Sequence, residues 1–157
     1  MILKGLIETD FINYKKTCMT LEFPYCSFKC NKEYGNTICH NSSIVELPDI
    51  DVNVDSIIDR YLDNPLTQAV VMQGLEPMDS FNDVTEFIGK FRCRCTDDIV
   101  IYTGYTKCEI KEEINILKKW NNIIIKFGRF VPNQEKHYDE VLGVELASNN
   151  QYAEKIS

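Results

Sequence analysis

Residues 69–77 read Ala69-Val70-Val71-Met72-Gln73-Gly74-Leu75-Glu76-Pro77. An unbroken apolar run that ends at a glycine, with a proline close behind, suits a strand buried on both faces, as inner strands of parallel sheets are. The flanking sequence repeats a helix–strand rhythm around this run. Upstream, Val54, Ile57, Ile58, Tyr61 and Leu62 recur at helical spacing until Asn64-Pro65 stops them. Downstream, Asp79 or Ser80 is placed to cap a helix whose apolar face is Phe81, Val84, Phe87, Ile88 and Phe91. A strand at Ile99-Val100-Ile101-Tyr102 follows, then a helix over 107–120 with Ile110, Ile114, Leu117 and Trp120 on one face. Asn122-Ile123-Ile124-Ile125-Lys126-Phe127 is the next strand, and Thr-Cys-Met-Thr-Leu-Glu-Phe at 17–23 is an earlier one.

Strands alternating with helices through short connections define an α/β protein with right-handed crossovers and a mainly parallel sheet of βα repeats. No internal repeat, low-complexity tract or linker divides the chain, so residues 1–157 are expected to form one domain. The stretch 131–157 shows no clear period, and helix there is a guess.

Ligands of open α/β sheets bind beyond the carboxyl ends of the strands. Each predicted strand ends there in residues unlike a plain turn. The first runs into a cysteine loop and the second into Gln73-Gly74-Leu75-Glu76-Pro77. The third ends in Tyr102-Thr103-Gly104-Tyr105 and the fourth in Phe127-Gly128-Arg129-Phe130. A site is expected where these four meet.

Composition narrows the function. A 44% apolar, 11% aromatic chain is ordinary for a globular protein. A formal charge of −7, with no basic cluster beyond the small Arg92/Arg94 patch, argues against nucleic acid as a partner. No stretch approaches the ~20 apolar residues of a membrane span. The opening residues, Met1-Ile2-Leu3-Lys4-Gly5-Leu6-Ile7-Glu8, are charged too soon for a signal peptide, so a cytoplasmic location is expected. Seven cysteines in a reducing compartment point to metal rather than disulfides.

Cys26, Cys30 and Cys39 form a C-x3-C-x8-C loop. Three close thiolates can hold three irons of a [4Fe–4S] cube and leave the fourth open, whereas a closed cluster takes four cysteines. Zinc is the competing reading, with His40 or Cys18 as fourth ligand. Cys18, inside a strand, reads more simply as a small buried hydrophobe, and Cys93, Cys95 and Cys108 read as structural. His40 and His137 have no companions for acid–base hydrolysis. Lys111-Glu112-Glu113 and Lys118-Lys119 read as a solvated helix face.

Taken together, the motifs resemble the small radical S-adenosylmethionine (SAM) enzymes that activate anaerobic ribonucleotide reductases. That family carries a Gly-Gly-Glu-Pro segment after a strand, and Gly74-Leu75-Glu76-Pro77 is similar to it. Its Tyr-Thr-Gly-Tyr appears letter for letter at 102–105, and Gly128-Arg129-Phe130 and Ser148-Asn149-Asn150-Gln151 resemble its later motifs. The resemblance runs in order from about residue 1 to 153 and implies a small, partial (incomplete) radical SAM barrel.

The resemblance also implies chemistry. A [4Fe–4S] cluster on Cys26, Cys30 and Cys39 would bind SAM on its open iron and cleave it reductively to a 5′-deoxyadenosyl radical. That radical would take a hydrogen atom from a glycine of a larger glycyl-radical enzyme, with flavodoxin or ferredoxin as low-potential electron donor. Gly74, Leu75, Glu76 and Pro77 would hold the methionyl end, with Glu76 on its ammonium, and Asn41 matches an asparagine after the last family cysteine. Tyr102 and Tyr105 would line the adenosine. The bland alternatives are a turn carboxylate at Glu76, tyrosines that only pack the sheet edge, and a non-catalytic zinc or iron–sulfur module that regulates a partner.

Two departures from the family pattern stand out: a gap of eight residues where two are usual, with Ile38 for an aromatic before Cys39, and Leu75 in place of a second glycine. The longer gap costs only about 1 kcal/mol in loop closure, against roughly 10 kcal/mol or more for a metal–thiolate site. Gly35-Asn36 offers the turn that would bring Cys39 back. Leu75 still permits a type I turn.

Overall fold

The computed structural model describes every residue except Gly35, Asn36, Thr37 and His40. Strands β1 (Ile2–Leu3), β2 (Gly5–Asp10) and β3 (Cys18–Phe23) open the chain, and the cysteine loop follows with the one-and-a-half-turn helix α1 (Lys29–Tyr34). Then come β4 (Ile50–Asp51), α2 (Val54–Asp63), β5 (Ala69–Gly74), α3 (Phe81–Arg92), β6 (Asp98–Tyr102), α4 (Lys111–Leu117) and β7 (Ile123–Phe127). The chain closes with β8 (His137–Asp139), β9 (Val144–Leu146) and β10 (Tyr152–Lys155).

Among the described residues the main sheet has six strands in the order β10-β7-β6-β5-β3-β2. Its four inner strands, β3, β5, β6 and β7, are parallel, and β2 and β10 flank them antiparallel. The protein is therefore a mixed α/β fold around a mainly parallel sheet. The apolar run at 69–72 occupies an inner strand, as its composition requires.

The two faces of the sheet are covered differently. On one, Met19, Leu21, Val70, Met72, Ile99, Ile101, Ile123 and Ile125 pack under α2, α3 and α4 through Ile57, Ile58, Phe87, Phe91, Ile114 and Leu117. On the other, the rung Thr20–Val71–Val100–Ile124 runs across four strands. That face is covered not by helices but by Tyr14 of the 11–16 loop and by Leu142 and Leu146 of the β8–β9 hairpin. One step toward the carboxyl ends the same face turns polar, with Gln73, Tyr102 and Lys126.

Several expectations are corrected. The helix read over 107–120 shortens to α4, because Glu109 turns back to accept hydrogen bonds from Thr106 N (2.8 Å) and Oγ1 (3.0 Å) and closes a separate turn. The stretch 131–157 holds three short strands and, among the described residues, no helix. Neither Asp79 nor Ser80 caps α3 through its side chain, because Pro77–Ser80 forms a 3-10 turn that carries Asp79 toward the cysteine loop. Among the described residues no helix is long and apolar enough to cross a membrane.

Candidate metal and cofactor site

The carboxyl ends of β3, β5, β6 and β7 open into one cavity of about 370 Å³. Cys26, Cys30 and Cys39 line it, as do Asn41, Gly74, Leu75, Glu76, Tyr102 and Tyr105. Pro77 does not. It sits buried behind Glu76 as the first residue of the 3-10 turn, where a missing N–H costs nothing.

Local hydrogen bonds shape the cysteine loop. Phe28 adopts φ 51°, and its N–H points at Cys26 Sγ, 3.2 Å away. Cys30 sits on α1. The Asn31 side-chain carbonyl accepts from the backbone N–H of Ile38 (3.0 Å) and Cys39 (3.3 Å), which folds the long gap back and returns Cys39 toward Cys30. The turn expected at Gly35-Asn36 lies outside the described residues. Burial pushes the Cys26 thiol up to about 11, with Glu76 and Asp79 adding to the rise. The Cys30 thiol is raised by burial and then by Cys39. A bound metal reverses that balance, since a ligating thiol is deprotonated outright.

The loop is lashed to the neighbouring turns. Asp79 accepts from Ser27 N and from the Tyr105 hydroxyl, both at 2.6 Å. Burial, then that carboxylate, lifts the Tyr105 phenol to about 12. Lys29 lies 4.3 Å from the centre of the Tyr105 ring and 3.4 Å from Glu109. Arg129 holds Glu109 with two nitrogens, at 3.0 and 2.6 Å, and reaches Glu33 of α1 at 3.4 Å. The guanidinium draws the Glu109 carboxyl down to about 2. The Asn41 amide donates to Gly74 O at 2.7 Å.

Gly74 has a backbone reason to be glycine. It sits at φ +99°, and a Cβ there would lie 2.7 Å from Phe23 N on β3. Glu76, 5% exposed, accepts from Met78 N (3.1 Å) and Gly104 N (2.8 Å) and so ties the 74–77 turn to the 102–105 turn. Burial outweighs the Thr103 hydroxyl and those two amides and lifts its carboxyl to about 7. Tyr102 forms part of the cavity wall on the hairpin side, its hydroxyl donating to Asn13 O at 2.7 Å.

The model of the family described as 4Fe-4S single cluster domain matches residues 16–152. The chain belongs to that family. No curated protein matches it. This 4Fe–4S domain keeps its cysteine loop, both turns and the last strand's entry within the matched span.

The donor set fits such a cluster: three thiols on one loop line a single cavity. Among the described residues no three His, Cys, Asp or Glu side chains already stand as a metal cage. The thiols face a shared space without being drawn to one point, and a short inward movement of the loop is cheap beside metal–thiolate binding. Cys18 is no fourth ligand. It is buried at the start of β3, roughly 16 Å of strand from the loop, with its thiol 3.6 Å from Asp10 O. Cys93 and Cys95 lie before β6, at the opposite end of the sheet, and Cys108 is exposed. His40 lies outside the described residues.

For three residues of this 4Fe–4S domain the sequence did not disclose the role at the site. Asp79 looked like a helix cap. Gln151 accepts from Ala147 N (3.1 Å) and Ser148 N (3.2 Å) and donates to Gly128 O (3.2 Å), which braces the β7 turn. Lys126 is 7% exposed and lines the cavity, with Nζ 2.8 Å from Gly128 O. Burial lowers its ammonium to about 8, an effect that Glu76 partly offsets. The available signal was a single charge inside an otherwise apolar strand.

Proposed function

We propose that this 4Fe–4S domain is a radical SAM enzyme that installs a glycyl radical on a larger partner, in the manner of the anaerobic ribonucleotide reductase activators. The observation that carries the reading is convergence: the C-x3-C-x8-C loop and the 74–77 and 102–105 turns share one cavity at the carboxyl edge of the sheet. In this reading Cys26, Cys30 and Cys39 hold the cluster, and the sheet, with its helices on one face, is an incomplete radical SAM barrel. The bound pair supplies one-electron cleavage of the sulfonium to methionine and a 5′-deoxyadenosyl radical, which takes a hydrogen atom from the partner's glycine; the electron comes from a low-potential donor such as flavodoxin or ferredoxin.

The residues then bind and orient. Beyond its two backbone donors and the Thr103 hydroxyl, Glu76 still has accepting capacity, and it receives the methionyl ammonium. Asn41 fixes the Gly74 carbonyl. Tyr105 and the Lys29–Glu109–Arg129 network hold the loop over the cavity and exclude water.

The test is anaerobic reconstitution, followed by iron and sulfide analysis and by an assay for 5′-deoxyadenosine with dithionite and SAM. Near-stoichiometric four-iron loading and SAM cleavage are expected, with both lost in Cys26→Ala and equally in Cys39→Ala. A colourless protein that holds one zinc and never cleaves SAM would sink the reading in favour of a regulatory zinc module. Full activity in Cys39→Ala would reassign the third ligand.

A further inference from the structure

We infer that Cys30 and Cys39 form a redox switch: in the cluster-free chain a small disulfide such as oxidised glutathione joins them, and the joined loop takes no metal until a thiol reopens it. The inference rests on the cysteine loop being the cluster site, as proposed above, and not on SAM cleavage.

The first ground is pairing. Cys30 sits on α1, which is fixed to the body of the protein by Lys29 on Glu109 and by Glu33 on Arg129, both at 3.4 Å. Cys39 is pinned from both sides. Its N–H donates to the Asn31 side-chain carbonyl at 3.3 Å, and its own carbonyl accepts from Ser42 N at 3.3 Å. The Cys30 thiol reaches the same Asn31 oxygen at 3.9 Å. The two sulfurs thereby come within hydrogen-bonding reach of each other. Cysteines held this way need little backbone movement to join, which is the condition a disulfide sets.

The second ground is that the other thiols are turned elsewhere. Cys26 faces into its own bend, where its sulfur accepts from Phe28 N at 3.2 Å beside a residue at φ 51°. Cys30 acts on it only through charge, the weakest of the influences upon it. Cys18 is buried against Asp10 O. Cys93 and Cys95 stand two apart in sequence, yet one thiol points to Gly89 O and the other to Asp97 N.

The third ground is access. Cys30 and Cys39 are half-buried on the cavity wall, open to a small oxidant. One thiolate attacks the glutathione disulfide and one glutathione leaves; the second thiolate then displaces the other. A cysteine Sγ–Sγ bond replaces that of the oxidant. The two cysteines give up two electrons and two protons, and two glutathione thiols carry them away. Cys26 then remains the one thiol of the loop, too few for a cluster. In the loaded protein both thiolates are committed to metal, and the exchange has no nucleophile.

The experiment exposes the full cluster-free chain, reduced and then freed of reductant, to oxidised glutathione under anaerobic conditions. Alkylation, digestion and mass spectrometry then map the cysteines. A Cys30–Cys39 link with alkylated Cys26 is expected, in the wild type and in Cys26→Ser alike. Exposed Cys93 and Cys108 carry single glutathiones at most, which the map separates. Cys39→Ser should instead hold one glutathione on Cys30. Asn31→Ala should slow the link by about tenfold, the worth of the hydrogen bonds that hold Cys39 in place, while Asn31→Asp, which keeps the acceptor, restores it. Cobalt(II) alone then reads the metal site: its thiolate absorption should appear with the reduced chain, vanish with the linked one and return after dithiothreitol. A Cys26–Cys30 link, or glutathione left on Cys30 and Cys39 without a link, overturns the inference, as does equal cobalt binding by linked and reduced chains. A reduced chain that neither binds cobalt nor loads iron overturns the cysteine loop as the cluster site, and the switch with it.

Discussion

Lys126 and Glu76 each spend folding stability on a charge that the interior disfavours, in opposite directions along the pH scale. Lys126 is held at about 8 against an ordinary 10.5. Below pH 8 it is charged in folded and unfolded chains alike, and its desolvation cost is fully present. Between 8 and 10.5 the unfolded chain binds more protons, so this group makes stability rise with pH; above 10.5 the cost is gone. Glu76, held at about 7 against 4.5, works the other way. The folded chain binds more protons between 4.5 and 7, so stability falls as pH rises through that window. The combined cost is greatest near pH 7 to 8, where both groups are charged. Lys126→Met is therefore expected to stabilise the cluster-free chain by on the order of 2 kcal/mol at pH 7, with the gain shrinking toward pH 10. Urea unfolding at pH 7 and 9.5 checks this, and an undiminished gain at 9.5 would show that the charge is not its source. Glu76 was legible in the sequence because a turn motif surrounds it. Lys126 was not, because a lone lysine in a strand usually faces solvent, whereas here it is buried at the cavity wall.

At the scale of elements, the parallel strands were legible because β-branched runs between turn residues admit few readings, and α2 and α3 because their apolar spacing is regular. Where a side chain serves another element, local pattern misleads. Asp79 has the residue type and place of a cap, yet the 3-10 turn at Pro77–Ser80 sends its carboxylate to Ser27 N and the Tyr105 hydroxyl. The cysteine loop is thereby positioned by the approach to α3 as well as by its own Asn31 contacts. Asp79→Ala is expected to cost less than about 1 kcal/mol of global stability, since the contact is exposed. Cluster retention should suffer more, by about tenfold, as when the partners that orient metal ligands are lost. The rate of iron loss to a chelator reads that effect. A rate equal to wild type would mean that the loop is held well enough by Asn31 and the Arg129 network alone.

At the scale of the molecule, the asymmetry of the sheet creates the site. Helices seal one face to its full height, while the other is closed only over its lower part by the 11–16 loop and the β8–β9 hairpin, which leaves the upper part for the cavity. The sequence hid this arrangement, because three-residue strands carry no readable period and the covering residues are scattered. Leu142 is the centre of that cover. It is fully buried, packs in the second cluster, and its carbonyl accepts from Lys15 N at 2.7 Å, joining hairpin to loop. Leu142→Ala is expected to cost about 3 kcal/mol, the usual figure for an emptied core leucine. Tyr138→Ser, on the same hairpin but 65% exposed, should cost less than about 0.5 kcal/mol. Urea unfolding of both variants separates the two cases. A loss below about 1 kcal/mol for Leu142→Ala would mean that the hairpin is a dispensable flap, and that the helix-covered face holds the sheet together by itself.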